Sequence, residues 1–174
     1  GLGVLITALC FRSFLRGGFL NVLLLGCGVL AFGLTSLISG WMIRPPHGPD
    51  EAETVHNLGV LCASLLFFWS ALNTSFGIAL QIEKRRGTVA MAACAAILAL
   101  GAILATETAL QSMPSFFIAG ERPTILRQVV LTLSVTLLLT SALLMMTVYA
   151  ERRGGFLLYT VNALLLIATG LVGI

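Results

Sequence analysis

The stretch Phe19–Ile43 reads FLNVLLLGCGVLAFGLTSLISGWMI and holds no charged residue. A helix crossing the hydrocarbon core of a bilayer needs about 20 predominantly apolar residues, and this run supplies them. Three further runs of the same character follow it, Thr54–Leu80, Val89–Leu110 and Arg127–Ala150. Shorter apolar runs stand at either end, Gly1–Phe11 and Phe156–Ile174. All are apolar throughout, whereas strands of a membrane barrel alternate apolar and polar residues over about ten positions. Helices are the remaining way to satisfy every backbone N–H and C=O inside lipid. The expected fold class is therefore all-α, a polytopic transmembrane helical bundle with six segments, four complete and two truncated, forming a single domain over residues 1–174.

The composition agrees. Of 174 residues, 58% are hydrophobic and 10% charged, and the mean hydropathy is +1.03. Soluble domains carry about 25% charged residues, so a water-soluble enzyme is excluded, as is a disordered chain. The net charge of +3 is spread over short clusters, the longest being Lys84-Arg85-Arg86. A nucleic-acid groove needs many basic residues on one face with aromatic platforms, and that pattern is missing. Cys10, Cys27, Cys62 and Cys94 each lie inside an apolar run without metal-ligand spacing, which reads as small packed residues. Gly26, Gly28, Gly33, Gly59 and Ala63, and an Ala/Gly-rich stretch from Ala90 to Ala105, are expected to let helices approach closely.

The basic residues orient the bundle. Arg12, Arg16, Lys84, Arg85, Arg86, Arg152 and Arg153 fall on one side; Arg44, Arg122 and Arg127 fall on the other. The positive-inside rule places the turns Phe11–Gly18, Gln81–Thr88 and Glu151–Gly155 in the cytoplasm, and the loops Arg44–Glu53 and Gln111–Leu126 outside. The expected location is a membrane that bounds the cytoplasm. The chain reads as a fragment of a longer protein with at least seven spans.

Ionisable and amide residues near span ends are the first candidates for function, because a bilayer makes unpaired polar groups costly. His56 and Asn57 open the third span, Glu107 lies about one turn from the outer end of the fourth, and Arg127 and Gln128 open the fifth. The topology brings these ends to similar depth. Two readings stand for them: hydration at the interface, or a shared polar pocket in which Arg127 finds water, lipid phosphate, Glu107 or an anionic ligand. His47 and His56 are nine residues apart and do not occupy facing helices, so neither a metal site nor a haem is expected, and no cofactor is. No nucleophile triad, phosphate-binding glycine loop or helical zinc motif occurs, so this domain is expected not to be an enzyme.

Between the fourth and fifth spans, Pro114, Phe116 and Phe117 belong to an apolar loop, as headgroup anchors or as a lid over the bundle mouth. Pro114 ends one helix, and Thr124 is placed to cap the next with its hydroxyl. Asn73 and Asn162, with Thr132, Ser134, Thr136, Thr140 and Ser141, are expected to bond between helices or back to their own carbonyls. No proline interrupts a complete span, and no internal repeat is evident, which weighs against a transporter.

The span opening His56-Asn57, the Pro114-Ser115-Phe116-Phe117 loop, and Thr124 followed by Arg127-Gln128 resemble the multi-span membrane-associated sensor (MASE-like) domains that precede PAS, histidine-kinase or GGDEF modules in bacterial signalling proteins. The likeness runs from about Phe11 to the end of the chain. Gly26-Cys27-Gly28 and Gly170-Leu171 also fit the pattern, whereas Glu121-Arg122-Pro123 stands where the family carries more glycine. The resemblance implies a sensory input domain that passes a periplasmic or intramembrane stimulus to a cytoplasmic module of the same chain. The whole protein would then be a histidine kinase or diguanylate cyclase. Its partners would be the lipid bilayer and that module, with homodimerisation open and no nucleic acid. A small-molecule membrane transporter or a membrane-enzyme subunit is the alternative.

Overall fold

The structure is a computed structural model that describes residues 2–43, 49–78, 80–110, 124–152 and 155–172. Among the described residues six helices follow in order: α1 (Leu2–Gly17), α2 (Leu20–Met42), α3 (Pro49–Ser75), α4 (Arg86–Ala109), α5 (Ile125–Arg152) and α6 (Gly155–Val172). Four of them, α2 to α5, are long and apolar enough to cross a membrane. The all-α bundle follows from the apolar runs, since among the described residues no strand forms and the sole β-type pairing is a bridge between Phe19 and Gln81.

Helix boundaries depart from the apolar runs where polar residues are good helix starters. α3 begins at Pro49 rather than Thr54, because proline suits the first helical position and the acidic residues after it complement the helix dipole. It stops at Ser75, although apolar residues continue to Leu80, since Gly77 takes φ +62° and turns the chain. α1 runs past Phe11 and Arg12 to Gly17, where Gly18 takes φ +73° and donates its N–H to the Phe14 carbonyl at 2.6 Å. That is a glycine-dependent helix stop.

α3 is the centre. It packs against α2, α5 and α4, and half of its most apolar stretch is buried inside the bundle, against 17% for α4. On one side α2 carries α1 and α4; on the other, α5 carries α6. Close approach depends on small residues. A Cβ on Gly28 would sit 2.6 Å from the Phe67 ring, one on Gly26 would sit 2.8 Å from Cys10 Cβ, and one on Gly59 would run into Thr35. Gly33 does not serve this purpose, for nothing lies within 4 Å of its would-be Cβ. Ser64, Ser134 and Ser141 are fully buried, and their hydroxyls donate to the carbonyls of Val60, Val130 and Leu137 at 2.6–2.8 Å. Satisfied within their own helices, they act as spacers of alanine size.

The Ala/Gly-rich α4 touches the bundle through one stripe, Ala90, Ile97, Gly101 and Leu104, while Met91, Leu98 and Ile103 face outward. Its small residues therefore mostly line the exterior. Cys10 and Cys27 are buried and Cys62 and Cys94 half-buried, all as free thiols.

Candidate functional site

The two ends of the bundle differ chemically. At the first end, the Phe19–Gln81 bridge joins the α1–α2 turn to the α3–α4 loop: Leu20 N–H donates to Leu80 O at 3.0 Å and Ile82 N–H to Gly18 O at 2.9 Å. Gln81 Nε2 donates to Gly17 O at 2.8 Å, and Arg86 donates to Arg16 O and Ile82 O, both at 2.7 Å. Asn21 Nδ2 donates to Thr74 Oγ1 at 3.0 Å, while its own carbonyl accepts from Ser70 Oγ at 2.8 Å. Arg12, Arg16, Lys84, Arg85 and Arg86 thus share this end, as their alternation along the chain predicts.

At the opposite end α3 and α5 begin side by side, since both run from here toward the basic end. Thr124 accepts the Arg127 N–H on its hydroxyl at 3.4 Å and the Gln128 N–H on its carbonyl at 3.2 Å, which starts α5. Arg127 then lies in the first turn, where a cation opposes the helix dipole. It is buried at 7% exposure and needs a compensating charge. The structure supplies Glu53 of α3, whose Oε1 accepts from Arg127 Nη2 at 2.6 Å. Glu53 itself is a quarter exposed, so one partner reaches the polar rim while the other is enclosed. Asn57, one turn along α3 from Glu53, is 4% exposed, and among the described residues its Nδ2 has no hydrogen-bond partner. Such an orphaned amide costs about 1–3 kcal/mol.

The candidate residues are thus distributed over several faces. Arg127 meets Glu53 at the α3–α5 seam, and Asn57 is buried one turn along α3 from Glu53. His56, adjacent to Asn57 but about 100° around the helix, turns toward α2 instead, its ring edge-on to Phe32 with centroids 6.0 Å apart. It lines an open groove of about 370 Å³ with Leu166, Ile167 and Gly170 of α6. Gln128 is exposed on the outer face of α5, beside Val129 and Thr132. Glu107 is exposed on α4, which has no contact with α5 among the described residues, because α4 packs on α2 at the other side of the bundle. His47, Pro114, Phe116 and Phe117 lie outside the described residues.

The partner that sequence reasoning missed is Glu53. It sits before the apolar run, where a hydropathy reading assigns it to the loop. Its spacing of four residues from Asn57 is the signal that places both on one face of a helix begun earlier. The polar ladder takes the local option: Thr136 and Thr140 donate to Thr132 O and Thr136 O, both at 2.7 Å. Asn73 is buried near the α3 C-terminus, with its Nδ2 unbonded among the described residues, and Asn162 is exposed on α6.

No protein-family model matches the chain, and neither a curated protein nor a solved structure does.

Proposed function

We propose that the chain is a membrane-embedded sensory input domain in which the α3–α5 seam carries a signal from the Glu53–Arg127 end to the basic end. One observation carries the reading. The same two parallel helices hold a half-covered ion pair at one end and, at the other, the bond from Ser75 Oγ to Leu144 O at 3.1 Å. A stimulus that changes the pair's hydration or ligation alters how the two helices lie together. Because packed helices shift as rigid elements, the change arrives at Ser75 and Leu144. The likeness of this region to MASE-like sensor domains points the same way. In this reading the basic loops face the cytoplasm of a bacterium, where the signal passes to a kinase, PAS or GGDEF module of the same polypeptide.

The test is disulfide formation between Ser75→Cys and Leu144→Cys in membranes, with the four native cysteines replaced by alanine. Introducing Glu53→Gln or Arg127→Gln at the far end is expected to change the cross-linking rate by about fivefold or more, the lower range of ordinary inter-site coupling. An unchanged rate in both, at normal expression, removes the basis for transmission along this seam.

A further inference from the structure

The exposed stripe of α1 has the outline of a phospholipid. Leu2, Leu5 and Leu9, 55–73% exposed, recur at helical spacing on one face. The same face continues with Arg12 and Arg16, also exposed, so apolar surface gives way to two guanidiniums one turn apart near the bundle's basic end. At that transition lies a concave space of about 590 Å³, bounded by Leu9, Arg12, Ser13, Arg16 and the ring of Phe19. α1 contains no acidic residue, and among the described residues neither arginine forms an ion pair. A helix C-terminus ordinarily repels anions. Here that repulsion is cancelled, since Arg86 donates to the carbonyls of Leu15 and Arg16 at 3.4 and 2.7 Å.

We infer that this stripe binds one anionic phospholipid, its phosphate held between Arg12 and Arg16 with Ser13 as neutral donor, and its acyl chains along Leu9, Leu5 and Leu2. Arginine suits the role because its fork matches phosphate oxygens. The inference rests on the helices spanning a bilayer and is independent of the α3–α5 seam.

The experiment is native mass spectrometry of the full chain in neutral detergent, with phosphatidylglycerol or phosphatidylcholine of the same acyl chains added. The unaltered chain is expected to favour phosphatidylglycerol by about fivefold per arginine. Arg12→Gln with Arg16→Gln is expected to abolish most of that preference while leaving the melting temperature in phosphatidylcholine unchanged. The single variants, each losing about fivefold, carry the test if the pair is unstable. Lys84→Gln with Arg85→Gln, which removes equal charge from the neighbouring loop, is expected to retain the preference. Equal loss in both double variants overturns the site in favour of diffuse surface charge. A preference intact without the arginines overturns it as well. Displacement of the lipid by millimolar inorganic phosphate also overturns it, because the arginines then serve a free anion.

Discussion

The two ends of this bundle satisfy their polar groups by opposite strategies. At the basic end, neutral amides and hydroxyls of Asn21, Ser70, Thr74 and Gln81 bond across the turns and helices, and Arg86, drawn inward, lies on backbone carbonyls. At the other end a full positive and a full negative charge are brought together between α3 and α5, with the unbonded amide of Asn57 one turn away. Neutral stitching holds one arrangement under most conditions. A half-covered ion pair over an orphaned amide depends on what else is present, since each group costs free energy when its partner is lost. The first end is built as an anchor and the second as a variable contact.

The sharpest way to break the anchor is Gly18→Ala. The residue is held at φ +73°, and a Cβ there would meet Ile82 O at 2.5 Å and the Arg86 guanidinium at 2.8 Å. Left-handed strain and overpacking together predict a loss of about 3 kcal/mol, read as a lower melting temperature in detergent. At the opposite end, Arg127→Leu leaves Glu53 next to an apolar side chain. Loss of one partner of a fully buried pair costs about 3–5 kcal/mol, and with Glu53 a quarter exposed the expectation is about 2 kcal/mol. Adding Glu53→Leu to Arg127→Leu is expected to restore most of the stability. A double variant as unstable as the sum of the singles would mean that the pair is not coupled.

In the body that both ends share, Gly28→Ala pushes a methyl against the Phe67 ring and is expected to cost about 1–2 kcal/mol. Gly33→Ala meets nothing and is expected to leave melting unchanged or slightly raised. Equal effects would place the α2–α3 contact elsewhere. The smallest pair compares a half-buried asparagine with a buried one. Asn21→Leu removes the bond to Thr74, whose hydroxyl keeps its bond to Ser70 O, and is expected to destabilise by about 1 kcal/mol, whereas Asn57→Leu removes a donor unbonded among the described residues and is expected to be neutral or stabilising. If Asn57→Leu costs as much as Asn21→Leu, the contrast between the ends does not hold.

Local composition alone determines that six helical segments form, which of them are long enough to span a bilayer, and which loops share an end, because hydropathy and chain alternation act over single runs and need no knowledge of neighbours. It also determines that Arg127, always charged and at the head of an apolar run, requires a partner. Which partner is a tertiary matter. Glu107 and Glu53 are both carboxylates near the same end, and α4 was carried to the α2 side while α3 was placed beside α5. Rotation about each helix axis is equally beyond a single run: adjacent residues point about 100° apart, so His56 turned to Phe32 and Gln128 to the exterior while their neighbours Asn57 and Arg127 were buried. In lipid, where apolar side chains are no better off between helices than against acyl chains, that choice falls to fine steric fit, such as Phe67 against Gly28 and Thr35 against Gly59, which no hydropathy pattern encodes.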